Sequence, residues 1–244
     1  MFDIEVLPPL EVPKQIEQVV SKEADIALMN PLGFVFANSL SQEVRAIAVA
    51  QRIIDGVVGV VYFGQLYARV DGNFASIKDL AGKVVGYGTP VSTSNFLMPA
   101  QLLKRAGVHP LLGFDRIEFL QGHEIVARAV YSGSVDVGAG HDGVILDLAK
   151  QPGFSDAGTV LRQLARTAPI PSDPVVVSVG NEGERAALQT ALITAGSSAA
   201  GSAALKIFWG NTQGLSATTS DAYAVLLKAL QDLKLDQHDI LASA

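Results

Sequence analysis

Apolar and polar positions along this chain switch repeatedly between a period of two and a period near 3.6. "FDIEVL" at 2–7 alternates and predicts a strand. "VPKQIEQVVSKE" at 12–23 has helical spacing, and "ADIALMN" at 24–30 predicts a buried strand stopped by Pro31. "GFVFANSL" at 33–40 reads as helix, "VRAIAVAQRI" at 44–53 as strand, and "GVVGVVYFGQLYARVD" at 56–71 as one long strand or a strand pair. A helical turn and strand follow in "SIKDLAGKVVGYG" at 76–88. "PAQLLKRAG" at 99–107 predicts a helix closed by Gly107. Strand, helix, strand and helix come next, in "RIEFL", "EIVARAVYSG", "VDVGAG" and "GVILDLAKQ". "TVLRQLART" carries a strand into "APIPSDPVVVS". Two strong helices close the chain, "GERAALQTALITA" at 183–195 and "TTSDAYAVLLKALQDL" at 218–233, the second with Asp221 as its N-cap.

Strand and helix in alternation predict an α/β fold with parallel strands. No fixed-period repeat is visible. Two Pro- and Gly-marked stretches, near 56–72 and 168–175, are where the chain would leave one lobe and return to it. The expectation is a discontinuous first lobe of residues 1–61 and 172–244, and a second lobe of 62–171 that includes the crossing strands. A cleft between two such lobes is a common place for a small ligand.

Composition narrows the possibilities. Of 244 residues 49% are hydrophobic and 17% charged, which is a folded composition. A net charge of −6, with no Lys/Arg run, argues against a nucleic-acid surface. The absence of cysteine removes disulfides, thiolate metal sites and a cysteine nucleophile. The longest apolar run, "VVGVVYF", falls short of the roughly 18 residues of a membrane helix. The acidic, proline-rich start "MFDIEVLPPLEVP" has no basic leader, so the chain as written would stay in the cytoplasm.

Three places could carry chemistry. "TPVSTSNFLMP" sets Ser92, Thr93 and Ser94 between a strand and a helix. Amide N–H groups at a helix start are unsatisfied and partly positive, and they can hold an oxyanion. The competing reading is plain capping by Ser92 or Ser94. Pro99 lacks a donor, so the first turn of that helix is expected to be kinked or separate. His123 follows Gly122 at another strand-to-helix junction, either donating to a ligand or capping its helix. Asp173 stands between prolines in "PIPSDP", as a ligand-facing carboxylate or as a turn residue. His141 and Asp142 are adjacent on a loop and have no evident third partner, which speaks against a metal or catalytic site. No nucleophile elbow, phosphate-binding P-loop or HExxH helix is present.

Taken together, four segments resemble one family. "ADIALMNPLGFVFA", "YARVDGNFASIKDLAGKVVGYGTPVSTSNFLMP", "GHEIVARAVYSGSVDVGAG" and "PIPSDPVVV" follow in the order and spacing of the substrate-binding proteins of phosphate, phosphite and phosphonate ABC importers. The resemblance runs over nearly the whole chain. It implies a two-lobed, type II periplasmic-binding fold and a ligand cleft whose contacts are Ser92, Thr93, Ser94, His123, Asp173, Tyr62 and Asn30. It also implies a monomer that binds a small phosphorus oxyanion, delivers it to a membrane permease, and uses no cofactor, metal or catalytic residue. The location would be periplasmic or otherwise extracytoplasmic. A sensor domain for a similar ligand, or a binder of a sulfonate or other small molecule on the same fold, are the alternatives.

The sequence departs from the family pattern in several places. Asn95 replaces Gly after Ser-Thr-Ser, Asn30 replaces Gly before Pro31, and Phe34 replaces Tyr. Gly143 stands where aminophosphonate binders carry a second acid. The start lacks a strand and a helix of the first lobe, which predicts an N-terminally truncated lobe. With Asp173 facing the ligand, a monoanion that can donate P–OH should be favoured over a dianion, so phosphite or a short phosphonate is expected over phosphate dianion.

Overall fold

The structure, a computed structural model, describes residues 4–178 and 180–242. In chain order it contains α1 (Val12–Ser21), β1 (Ile26–Leu28), α2 (Pro31–Leu40), β2 (Arg45–Ile54), β3 (Val57–Gly59), β4 (Val61–Arg69) and β5 (Val84–Tyr87). Then follow α3 (Met98–Arg105), β6 (Arg116–Phe119), α4 (His123–Ser132), β7 (Val137–His141), α5 (Val144–Ala149), α6 (Ala157–Val160), β8 (Leu161–Pro171) and β9 (Pro174–Val177). The last elements are α7 (Glu182–Gly196), α8 (Ala199–Trp209), β10 (Thr212–Ala217), α9 (Ala224–Leu233) and α10 (Gln237–Ala242).

The chain divides into two compact units. The first comprises residues up to Val60 together with Pro171–Ala224, and the second comprises Val61–Ile170 with Val225–Ala244. The expected boundaries differ from these chiefly at the C-terminus, which was assigned to the first lobe. The Lys104 ammonium donates to the Asp232 backbone carbonyl, the Gln101 amide donates to the Asp232 carboxylate at 2.7 Å, and Arg105 pairs with that carboxylate at 3.2 Å. Leu233 and Leu235 pack against the second unit's core. Side chains on α3 thus decide where the C-terminal segment lies.

The first unit is built on a sheet of order β1-β9-β2-β10, with β3 paired to β2. Every pair in it is antiparallel, in contrast to the parallel strands expected from alternation. The reason is that β9 returns after an inserted unit and slots between β1 and β2, so sequence neighbours are not sheet neighbours. Parallel pairing is found in the second unit, whose order is β6-β5-β7-β4-β8: β5 pairs parallel with β6 and β7, and β4 pairs antiparallel with β7.

Period-two alternation on β4 feeds two cores in the second unit. Leu66 and Ala68 join Val85, Tyr87, Phe96 and Leu103 on one face. Tyr67 joins Val126, Val130, Val135 and Val144 on the other. The Tyr67 ring lies over the neighbouring strand so closely that a Cβ on Gly138 would be 2.8 Å from its Cζ. The glycines of "VGAG" make room for that ring. Burial without a resolved partner pushes the Tyr67 phenol pKa up.

Several expectations change locally. Residues 4–7 of the predicted first strand carry no regular structure, and Ile4 and Val6 are 79% and 87% exposed; positions 2 and 3 lie outside the described residues. No strand among the described residues pairs with them, and alternation alone cannot hold an unpaired strand. The run at 56–71 is a strand pair, and its two halves serve different sheets. Asp221 is not an N-cap: it lies inside a short 3-10 turn, Ser220–Tyr223, that precedes α9. The stretch 196–217, for which no element was expected, holds α8 and β10. Ser198 caps α8 by accepting from the Gly201 N–H at 3.0 Å. The chain bends by 92° between α7 and α8, with Gly201 so near the Ala195 carbonyl that a Cβ would stand 1.9 Å from its oxygen. Its small residues serve a tight helix–helix turn.

Candidate functional site

At the carboxyl end of β5 the chain makes a tight approach and then a wide turn. Ser92 is the N-cap: its Oγ accepts from the Asn95 N–H at 3.2 Å. The capping reading therefore holds for Ser92. Residues Thr93–Leu97 then form a single π-type turn, with the Leu97 N–H reaching back to the Ser92 carbonyl at 3.0 Å, before α3 begins. Pro99, in the first turn of α3, explains the separate turn. It has no N–H to donate to the Asn95 carbonyl four residues earlier, and that carbonyl instead accepts from the Gly88 N–H at 3.3 Å. The Asn95 side chain lies over Gly88, where a Cβ would be 2.3 Å from its Nδ2. Asn95 thus fills the space beside Gly88 and is 1% exposed.

Thr93 and Ser94 are 1% and 3% exposed, although neither is apolar. Among the described residues no hydrogen-bond partner is resolved for the Ser94 hydroxyl. The turn is held against β4 and β7. The Gly64 N–H donates to Thr167 Oγ1 at 2.9 Å, and a Cβ on Gly64 would stand 3.1 Å from the Ser94 carbonyl oxygen. Glycine at 64 is what allows the serine turn to sit directly on the sheet.

His123 opens α4 after Gly122, whose φ of 146° lies outside the range of ordinary side chains. The His141 N–H donates to His123 Nδ1 at 3.3 Å, and the two rings meet edge to face with centroids 4.7 Å apart. An amide can only donate, so Nδ1 of His123 is bare and its Nε2 carries the proton in the neutral form. His141 is oriented in the same manner. Its Nδ1 accepts from the Gly143 N–H at 3.1 Å, and its Nε2 faces Asp147 at 3.6 Å. The geometry presents His123 as a donor through Nε2. No group of three metal-capable side chains occurs among the described residues.

Ser92, Thr93, Ser94 and His123 lie at the carboxyl ends of β5 and β6 in the second unit, the edge of an α/β sheet where ligands are commonly held. Tyr62 is buried on β4 of the same unit. Asn30 and Asp173 belong to the first unit. The Asn30 side chain caps α2, accepting from the Gly33 N–H at 2.8 Å. Phe34 is buried edge to face against Tyr223, with ring centroids 4.9 Å apart.

Two cations missed by the sequence reading alter the electrostatics. Asp173 is not a lone carboxylate: Arg52 on β2 forms an ion pair with it, the two side chains being 16% and 11% exposed. Arg52 also donates to the Trp209 carbonyl at 3.4 Å. With the guanidinium balancing Asp173, like-charge repulsion gives no preference for a monoanion over a dianion. On β8, Arg166 stacks over the Phe63 ring at 3.7 Å and faces Asp142 at 3.5 Å. Each arginine lies within a β-rich run, Arg52 as the lone charge of "AVAQRII" and Arg166 together with Arg162 in "LRQLART". A charge in such a setting needs a partner, and that was the available signal.

The geometry can be set beside known proteins. The Phosphate-import protein PhnD of Mycolicibacterium smegmatis is 28% identical over 136 residues, which cover 53% of this chain and 42% of that protein. The chain thus matches less than half the length of this curated relative. Among solved structures, a binding protein component of an ABC phosphonate transporter from Pseudomonas aeruginosa superposes with a TM-score of 0.75 at 20% identity, over 92% of this chain and 73% of that one. PhnD1 from Prochlorococcus marinus, in complex with methylphosphonate, superposes with a TM-score of 0.76 at 20% identity, over 93% and 85%. These likenesses establish the two-sheet α/β fold of periplasmic binding proteins. The family of phosphonate ABC-transporter periplasmic substrate-binding proteins matches residues 2–223. With that match over most of its length, the chain belongs to the family of periplasmic substrate-binding proteins of phosphonate ABC transporters.

Proposed function

We propose that this chain binds a small phosphorus oxyanion, of the phosphite, phosphonate or phosphate class, and delivers it to the permease of an ABC importer outside the cytoplasm. Ser92, Thr93, Ser94 and His123 hold the oxyanion, with Tyr62, Asn30 and Asp173 as further contacts. The protein acts as a monomer and carries out no chemistry on its ligand.

The observation that carries this reading is the buried serine turn. Two hydroxyl side chains, Thr93 and Ser94, are withdrawn from water at the start of a helix, in a turn pressed against a glycine of the sheet. Burying a hydroxyl without an acceptor is costly, and an oxyanion would supply one to Ser94. His123 adds an Nε2–H donor at the same sheet edge. No lysine or arginine is required, because neutral dipoles can hold an anion from which water is excluded.

The test is calorimetric titration of the full chain with methylphosphonate, phosphite and phosphate. Ser94→Ala removes one charge-assisted bond and should weaken binding by about 1.5–3 kcal/mol, with little loss of stability. Affinity unchanged by Ser94→Ala and by His123→Ala together would remove the site from this turn.

A further inference from the structure

A polar side chain stands alone inside the apolar run "YFGQLY" of β4: Gln65, which is 1% exposed. Its neighbours Leu66 and Tyr67 fill the two cores of the second unit, whereas Gln65 makes a hydrogen bond. Its Nε2 donates to the His141 carbonyl at 2.9 Å. A carbonyl can only accept, so the orientation of the amide is fixed. Its Oε1 is buried and has no hydrogen-bond partner among the described residues.

The His141 backbone depends on side chains for its partners. In the antiparallel ladder of β4 and β7, His141 stands opposite Gly64, and the next residue makes the bond, from the Asp142 N–H to the Phe63 carbonyl at 3.0 Å. His141 and Gly64 are therefore a pair that exchanges no backbone bonds. On the other side, β5 pairs with β7 only as far as Gly138. Past that point the N–H and C=O of His141 have no strand partner, and side chains take both. His123 Nδ1 accepts from the N–H at 3.3 Å, and Gln65 donates to the C=O. The His141 ring is tied as well, its Nδ1 accepting from the Gly143 N–H at 3.1 Å.

The His141 N–H sets the chemistry of His123. A ring nitrogen that accepts from an amide cannot carry the proton, so the direction of that N–H decides which nitrogen of His123 donates. A His141 backbone free to turn would release Nδ1 of His123, and both neutral tautomers would be populated. We propose that Gln65 is a positioning residue of the oxyanion site: by holding the His141 carbonyl it keeps the His141 N–H on His123 Nδ1, and so keeps the proton of His123 on Nε2. This rests on the oxyanion site proposed above, and it goes further by assigning the residue that prepares His123 before any ligand arrives.

The experiment reads the ring nitrogens of His123 by nitrogen NMR of the isotope-labelled full chain without ligand, at about pH 8, above the usual histidine range. The chain has four histidines, and the His123 signals are those missing from His123→Asn. The wild-type chain should show one neutral tautomer, with a bare Nδ1. Gln65→Met keeps the length of the side chain and removes the donor. It should bring the Nδ1–H tautomer into view and weaken methylphosphonate by about tenfold in calorimetric titration. Its melting temperature should change little, because loss of the bond and removal of the unpaired buried Oε1 oppose each other. Should Gln65→Met not fold, Gln65→Asn decides: its amide is too short to reach the carbonyl, and the same change of tautomer is expected. A wild-type His123 with its proton on Nδ1 overturns the proposal, and so does an unaltered tautomer in either folded variant, whatever the affinity does. Ser94→Ala should weaken methylphosphonate and leave the tautomer as it is. If the tautomer responds to position 65 while methylphosphonate binds the wild type and the variant equally, the clamp on His123 stands and the assignment of His123 to the oxyanion falls.

Discussion

Replacing Arg52 with Met is the sharpest test of the electrostatics in the first unit. Methionine retains much of the apolar stem and removes the charge, which leaves the Asp173 carboxylate buried beside Pro174 without its counter-ion. Breaking a buried ion pair by deleting one partner costs about 3–5 kcal/mol, because the surviving charge has lost both water and partner. Here the two side chains are 16% and 11% exposed, so some hydration returns, and about 2–4 kcal/mol is expected. Loss of the 3.4 Å bond to the Trp209 carbonyl lies at the weak end of the hydrogen-bond scale and adds about 0.5 kcal/mol. The double variant Arg52→Met/Asp173→Leu has no stranded charge and should recover most of the loss, with a coupling of about 2 kcal/mol. Trp209 is the chain's single tryptophan and sits beside the pair, so its fluorescence in a urea titration reports the first unit directly. A cost below about 0.5 kcal/mol for Arg52→Met, or single-variant costs that simply add in the double variant, would refute the account of a desolvated pair.

Other consequences follow from packing and charge in the second unit. Gly138→Ala places a Cβ 2.7 Å from Val130 Cγ2 and 2.8 Å from Tyr67 Cζ, and should cost about 1–3 kcal/mol in thermal unfolding. Gly143→Ala is its control: the nearest atoms are 3.4 Å away, on His141, and stability should be unchanged. The Asp232 carboxyl is held below its ordinary value of 3.8, first by the Arg105 guanidinium and then by the Gln101 amide. A lowered folded-state value means that this contribution is present above 3.8 and is lost as the pH falls through the lower folded value. Asp232→Asn should therefore flatten the acid limb of the melting-temperature profile below that pH, and an unaltered limb would separate Asp232 from the docking of the C-terminal segment.

Local and periodic features of this protein were determined by the sequence alone. Helices at 12–21, 98–105, 123–132 and 182–196 and the buried strands of both sheets declare themselves by apolar spacing, because one face of each must be withdrawn from water. Pro99 announced a separate first turn, since a missing N–H is a property of one residue. The order of four motifs pointed to the family, and the match over residues 2–223 agrees. What only the tertiary structure decided were relations between distant positions. That β9 enters between β1 and β2, so that one sheet is antiparallel throughout, depends on which strands meet after an insertion. The same holds for the C-terminal segment, drawn to α3 by Asp232. It holds most of all for charge: Arg52 and Asp173 lie 121 positions apart, and no local pattern reveals that one neutralises the other. Periodicity reports what a residue must bury, whereas the partner that makes a buried charge tolerable is chosen by the fold.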